Sequence, residues 1–169
     1  MEIDSSFDQI YEQLFPVVYR FVKVRIPSND VDDVTAEIIA KVWRALPKFE
    51  EKSNLKTWAL RIAYNQIADY YRARKNVPQV SLTEELKSIQ VESDHSEQLT
   101  TLLSVNETLS KLSEPQVAVI QLRLIEGFSA AEVAGIMGTS QQAVDSLLYR
   151  AKKSFRKYYV IQGTGGRRL

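Results

Sequence analysis

Ser129-Ala-Ala-Glu-Val-Ala-Gly-Ile-Met-Gly-Thr-Ser-Gln-Gln-Ala-Val-Asp-Ser-Leu-Leu-Tyr-Arg150 is the stretch whose reading decides the fold. Ser129 followed by Glu132 is a capping box, which opens a short helix. Gly138 closes that helix, because glycine tolerates the positive φ of a tight turn. Ser140 then caps a longer helix expected to reach about Tyr159. Val133, Met137, Val144 and Leu147 fall where two such helices must pack on each other, and Ala134 is small where they cross. This is helix-turn-helix spacing, in which the second helix offers its N-terminal residues to a major groove. Gln141 and Gln142 suit adenine edges, while Arg150, Lys152 and Lys153 suit phosphates. An αα-hairpin inside a bundle would share the spacing, but the basic side of the final helix favours DNA.

Upstream the helical pattern continues. Ser113 and Gln116 form another capping box with Pro115 between them, which predicts a helix over 116–125 ended by Gly127. Leu99, Leu102, Leu103 and Leu109 give an earlier helix. Before it, residues 77–97 are polar and acidic and read as a linker, with one short turn expected at Ser81–Glu84. Fully extended, that linker spans ~70 Å at ~3.3 Å per residue, more than one turn of DNA at ~35 Å. Residues 1–76 read as a bundle of three to four helices. Ser5 or Ser6 caps a first helix with the stripe Phe7, Ile10, Tyr11, Leu14, which Pro16 is expected to break or kink, leaving a second piece over 17–24. Asp30 is the expected cap of the next helix, whose stripe is Val31, Val34, Ile38, Val42 and Leu46. After Pro47 and a loop over 48–54, a long helix runs from Leu55 to about Arg74.

Composition sets the class. The chain has 169 residues, 44% of them apolar and 25% charged, an ordinary globular balance with room for two small domains. No run approaches the ~18 apolar residues of a membrane span, and the N-terminal stretch is acidic where a secretion signal is basic, so a cytoplasmic protein is expected. With no cysteine there is no disulfide or thiolate metal site, and the single histidine, His95, lies in the linker without partners. No phosphate-binding glycine loop is present. The expectation is therefore a non-enzyme without cofactor. Charge is segregated: residues 77–108 carry one basic and six acidic side chains, whereas residues 109–169 carry nine basic and four acidic. A cationic helical end draws phosphates through counterion release.

The long N-terminal helix adds a second nucleic-acid signature. Trp58, Tyr64, Tyr70 and Tyr71 alternate with Lys56, Arg61, Arg72, Arg74 and Lys75, a mix suited to single strands, where bases stack and phosphates pair. Trp58, close to Ala59, Ile62 and Ala63, reads mainly as core. Asn65 lies two turns beyond Trp58 on the same flank, where it can meet a base edge or a neighbouring backbone group.

These residues together resemble the extracytoplasmic-function (ECF) RNA polymerase sigma factors. The matching pieces are Asp32-Asp33-Val-Thr-Ala-Glu37 through Trp43-Arg-Ala-Leu46; Phe49-x-x-x-Ser53-x-Leu55-x-Thr57-Trp58-x-x-Arg61-Ile-Ala-x-Asn65; and Leu112-Ser-Glu-Pro-Gln116 through Arg150-Ala-Lys152. The resemblance implies an all-α protein of two small helical domains: region 2 over 1–76, the acidic linker over 77–97, region 4 over 98–160, and a flexible tail over 161–169. It implies core RNA polymerase, through its clamp and flap, promoter DNA and an anti-sigma factor as partners, with no membrane insertion. Asp32, Asp33 and Glu37 would meet the polymerase clamp. Phe49, Lys52, Ser53, Asn54, Lys56, Arg61, Asn65, Arg72 and Arg74 would hold the opened −10 element. Ser129, Ser140, Gln141, Gln142, Asp145, Ser146, Tyr149, Arg150, Lys152 and Lys153 would read the −35 element. The linker would run toward the active-site channel, its charge imitating nucleic acid.

Two departures stand out. Asp145 occupies a position where the family usually carries a cation, and Leu147 one where it often does, which suggests an atypical −35 sequence with Asp145 accepting from cytosine N4, or else a weaker grip. Glu50 and Glu51 make the −10 loop unusually acidic. A freestanding helix-turn-helix regulator is the alternative, but it leaves residues 1–76 without a task. A protein that only titrates a partner would explain the helices and neither DNA signature.

Overall fold

The structure, a computed structural model, describes the backbone of residues 2–74 and 96–164 and the side chains of residues 6–74 and 100–159. Every regular element among the described residues is helical. Two compact units divide them: one holds residues 2–74 together with 131–140, the other residues 96–130 and 141–164. The linker expected over 77–97, with its Ser81–Glu84 turn and His95, lies outside the described residues except for residues 96–97, which are helical; of the tail expected over 161–169, residues 161–164 instead continue the last helix, and 165–169 lie outside the described residues. No described helix is long and apolar enough to cross a membrane.

α1 runs unbroken from Glu2 to Lys23 with Pro16 inside it. The expected break does not occur. Proline removes one hydrogen bond, to the carbonyl of Glu12, and both residues are exposed, where water can satisfy that carbonyl. Meanwhile Leu14, Val17, Val18, Phe21 and Val22 are buried on either side of the proline and hold the helix in one piece. Of the expected stripe Phe7, Ile10, Tyr11, Leu14, only Leu14 belongs to the core. Phe7 and Tyr11 are 36% and 38% exposed.

α2 spans Ser28–Ala45. Its cap is Pro27, with no side-chain cap hydrogen bond, and not the expected Asp30. Asp30 sits inside the first turn, still favourable against the helix dipole, with its carboxylate drawn sideways to α3. Val31, Val34, Ile38 and Val42 are buried as the stripe predicts. A 3-10 turn over Leu46–Lys48, containing Pro47, ends this run. α3 spans Leu55–Ala73, capped by Asn54, whose side chain accepts from the Lys56 N–H at 2.8 Å. The three helices pack pairwise around Phe21, Ile26, Ile38, Leu60 and Ile67, each side chain contributing ~1.5–3 kcal/mol by burial. Arg25 is also buried, its guanidinium 4.0 Å from the Phe21 ring centre and 5.4 Å from that of Tyr64.

In the second unit, α4 (Ser96–Ser110) and α5 (Glu114–Ile120) both pack on the final helix, α7 (Gln141–Thr164). The Ser113–Gln116 capping box forms as predicted, with the Ser113 N–H donating to Gln116 Oε1 at 3.1 Å. A π-turn over Gln121–Ile125 follows α5 and ends at Gly127, whose φ is 76°. Arg123 donates to the Phe128 carbonyl at 2.6 Å and braces that turn. The leucine stripe of α4 is only partly core, since Leu102 is 61% exposed while Thr108 is fully buried.

α6 covers Ala130–Met137. Gly138 adopts φ 67°, as the turn requires, and the Thr139 N–H donates to the Ala134 carbonyl at 3.0 Å. Of the four expected positions, Val133 and Val144 are buried and Met137 and Leu147 are not. Val133, Ala134 and Ile136 are buried on α6, and Val144, Leu148 and Ala151 on α7, whereas Met137 and Leu147 are half-buried.

Candidate nucleic-acid interface

The loop before α3 is held at two points. The Phe49 ring lies against Trp58, centroids 4.9 Å apart. Asn54 caps the helix. Between them Glu51 adopts φ 54°, a left-handed conformation that a β-carbon disfavours. Lys52 pairs with Glu50 on the exposed side. Lys52, Ser53, Asn54, Lys56, Arg61 and Asn65 are all exposed, and Trp58 is half-buried, less enclosed than a core tryptophan. Arg61 and Asn65 are one turn apart on α3, so they form a row beside the braced loop.

The C-terminal turns of α3 are employed differently from the sequence expectation. Tyr70 and Tyr71 are not free for base stacking. Tyr70 is 7% exposed and its hydroxyl donates to Asp30 Oδ2 at 2.5 Å. Burial and that hydrogen bond push its pKa well above the usual tyrosine value. The Tyr71 hydroxyl donates to the Arg25 carbonyl. Arg74 lies over the Tyr70 ring at 3.9 Å and pairs with Asp30 at 3.3 Å. Arg72 pairs with Asp69 at 2.7 Å and is 70% exposed. Arg61 and Asn65 are therefore brought to one exposed face, whereas Arg74 is held on the edge of α2.

The four acids of α2 divide between two depressions. Asp32 lines a groove of about 500 Å³ with Trp43 and an aromatic ladder on α1. Along that ladder Phe7, Tyr11, Phe15 and Tyr19 stack at 5.9, 5.1 and 5.6 Å. Asp33 and Glu37 line a polar cleft of about 380 Å³ with Asp30, Gln66, Asp69 and Arg74. There Gln66 bridges α2 and α3: its Nε2 donates to Glu37 Oε2 at 2.8 Å and its Oε1 accepts from Lys41. The i, i+4 spacing of the aromatics was visible in the sequence; the Gln66 bridge was not, because nothing local marks a partner 29 residues away.

On α7, Gln141, Gln142, Asp145, Ser146, Tyr149, Arg150 and Lys153 are exposed, away from Val144, Leu148 and Ala151. Tyr149 is 69% exposed, a large aromatic ring in solvent. Among the described residues, Arg150 Nε reaches only the Ser146 carbonyl, at 3.4 Å. Asp145, the lone acid of α7, makes no ion pair among the described residues. Lys152 is half-buried, and Ser129 and Ser140 are exposed at the starts of α6 and α7. No group of three or more metal-ligating side chains gathers among the described residues.

The chain's similarities follow the same division. The Sigma-70 region 2 family matches residues 10–77, and the Sigma-70 region 4 family matches residues 102–155. The RNA polymerase sigma factor CnrH of Cupriavidus metallidurans is 31% identical over 137 residues, covering 75% of this chain and 72% of CnrH. The ECF RNA polymerase sigma-E factor of Escherichia coli (strain K12) is 32% identical over 142 residues, covering 76% of this chain and 73% of that factor. The structure of CnrH in complex with the cytosolic domain of CnrY superposes with a TM-score of 0.66 at 25% identity, covering 91% of this chain and 87% of that one. On these grounds the chain belongs to the ECF subfamily of RNA polymerase sigma factors, which initiate transcription and are not enzymes.

Proposed function

We propose that the chain directs core RNA polymerase to its promoters by gripping an opened −10 element with residues 1–76 and a duplex −35 element with residues 98–160, the stretch 77–97 serving as an acidic tether and 161–169 as a tail. The observation that carries this reading is the exposed Arg61–Asn65 row beside a loop braced by the Phe49–Trp58 contact. Taking a base out of the stack costs a few kcal/mol, so a pocket that captures it must be rigid beforehand. The bracing supplies that rigidity. Phe49, Ser53 and Asn65 line the base pocket, and Lys52, Lys56, Arg61 and Arg72 follow the strand's phosphates. Asn54 serves the loop through its cap.

Asp32, Asp33 and Glu37 meet basic side chains of the polymerase clamp, where opposite charge sets register and speeds encounter. The aromatic groove beside Asp32 adds apolar area to the same docking face. On α7, Gln141, Gln142, Asp145, Ser146 and Tyr149 face base edges, while Ser129, Ser140, Arg150, Lys152 and Lys153 hold phosphates. Asp145 can only accept, so it disfavours guanine and thymine, which offer only acceptors to the major groove, and suits cytosine N4, a donor with no acceptor beside it such as adenine N7. An Asp145→Arg variant that tightened binding without altering the selected base would refute that assignment. CnrH has been solved with the cytosolic domain of CnrY; by likeness an anti-sigma factor restrains this chain too, in the cytoplasm. A freestanding regulator would use α6 and α7 alone and leave the α2 edge idle.

The test is run-off transcription with core polymerase on a library randomised at both elements. Enrichment of paired −10 and −35 motifs at a fixed spacing supports the reading. Specific duplex binding by the free chain without polymerase-dependent transcripts favours the freestanding regulator instead.

A further inference from the structure

The groove between α1 and α2 has a chemically uneven lining. At one end Phe7 meets Trp43 edge to face at 4.2 Å. At the other, where Tyr19 and Asp32 lie, the turn over 24–27 joins the two helices. Asp32 and Trp43 are separated by about 16 Å, at about 1.5 Å of helix rise per residue. A groove of about 500 Å³ and that length is narrow, and falls within the ~300–1,000 Å³ of small-molecule sites. Its α1 wall is the stacked ladder from Phe7 to Tyr19, and its α2 floor is kept low by Ala36 and Ala40, both exposed. Two polar features interrupt this lining. Asp32 is the only charged residue that lines the groove, and it makes no ion pair among the described residues. Thr35, one turn further, is 2% exposed, and its Oγ1 has no hydrogen-bond partner among the described residues. Threonine in a helix has two accessible χ1 rotamers, so a rotation turns that hydroxyl toward the groove. A buried hydroxyl without a partner is unfavourable, and a ligand atom that bonds it removes the cost.

We propose that this groove binds a small amphiphilic primary amine, an ammonium group on an apolar stem. A lone carboxylate at one end of a narrow apolar groove sets both the number and the sign of the ligand's charge. An ammonium carries three donors. One meets the Asp32 carboxylate and a second meets the Thr35 hydroxyl, one turn away on the same flank of α2. The aromatic wall attracts the same group through its ring quadrupoles. The stem lies over Ala36 and Ala40 toward Trp43, and its burial there is favourable. An anionic ligand is repelled by Asp32, and a quaternary ammonium has no donor for Thr35. Asp32 also belongs to the edge proposed for polymerase, so occupancy should weaken polymerase association. Binding of the amine does not itself rest on that reading.

The test uses three probes with one stem, phenylhexylammonium, phenylhexanol and phenylhexanoate. Each is titrated into the purified chain by calorimetry, with tryptophan emission followed in parallel. The chain should bind the ammonium about fivefold tighter than the alcohol, the difference expected of an exposed charge pair, and the carboxylate more weakly than either. Emission should change on binding in the wild type and much less in Trp43→Phe, which keeps only Trp58. Asp32→Asn should bind ammonium and alcohol alike. Thr35→Val should lose the preference for phenylhexylammonium over its trimethyl derivative. Ala40→Leu fills the floor and should abolish binding, with Ala36→Leu in its place if circular dichroism shows that the first variant is unfolded. Equal binding of the three probes, undiminished ammonium binding by Asp32→Asn, or saturation that survives in the folded Ala40→Leu chain overturns the proposal. So does a wild-type chain that binds no probe up to its solubility limit. Binding with the expected preferences but without effect on polymerase association supports the amine site and refutes only the shared edge.

Discussion

Asn54 was expected to touch DNA, yet the structure gives it another occupation. Its side-chain oxygen accepts from the Lys56 N–H at 2.8 Å and satisfies one of the open donors at the start of α3. Asn54→Ala removes that acceptor. A lost asparagine cap costs about 1 kcal/mol, equivalent to roughly a fivefold shift in the opening equilibrium of the first turn. For a unit of this size, that energy corresponds to a drop of about 4–8 °C in melting temperature if the turn unfolds with the rest. Thermal unfolding of the full chain, followed by circular dichroism, measures the second quantity. Hydrogen exchange at the Lys56 amide measures the first. Asn54→Ser restores an acceptor of similar reach without charge, and should recover both stability and binding of the −10 strand. Wild-type melting and exchange in Asn54→Ala would refute the cap. Recovery of stability without recovery of strand affinity in Asn54→Ser would show that the amide itself meets DNA.

Other outcomes follow from local geometry. Glu51 sits at φ 54°, so Glu51→Gly should stabilise the first unit by about 0.5–1 kcal/mol, read as a higher urea midpoint. Gly138 has φ 67° and open space around the position of an added β-carbon, so Gly138→Ala pays for backbone strain alone, about 1 kcal/mol in the same assay, and Gly138→Asn less. The Tyr70 pKa is raised in the folded chain, so the folded state keeps a proton that the unfolded chain releases near pH 10. The corresponding stability is complete below that pH and declines as pH rises above it. Comparing unfolding free energies at pH 9 and pH 11 should show this decline in the wild type, with a shallower one in Tyr70→Phe.

The sequence was informative where an interaction is local or periodic. The Ser113–Gln116 capping box, the positive-φ glycines at 127 and 138, and the α2 stripe all obey short-range rules and appear as expected. It was misleading where a distant helix decides. Asp30 has the residue type of a cap, but Tyr70 and Arg74, about 40 positions later, take its carboxylate. Pro16 carries a strong helix-breaking signal, which burial on both sides of it overrides. Among the expected strand-binding residues, Tyr70 and Tyr71 are bolts between helices, and this could not be told from their alternation with arginines. In α6 and α7 the expected positions Val133 and Val144 are buried, but Ile136 and Leu148 are buried in place of their neighbours Met137 and Leu147. Helical periodicity fixes a face only to within about one residue's rotation when apolar neighbours are adjacent.

The most direct measurement is a titration of the purified chain into core RNA polymerase, with native electrophoresis or analytical ultracentrifugation as the readout and a charge-reversed Asp33→Lys, Glu37→Lys variant beside it. The account predicts a one-to-one complex for the native chain and a loss of roughly tenfold or more in affinity for the variant, since like charges now face a basic partner. A folded native chain that fails to associate with the polymerase, whatever DNA it binds by itself, would contradict the account.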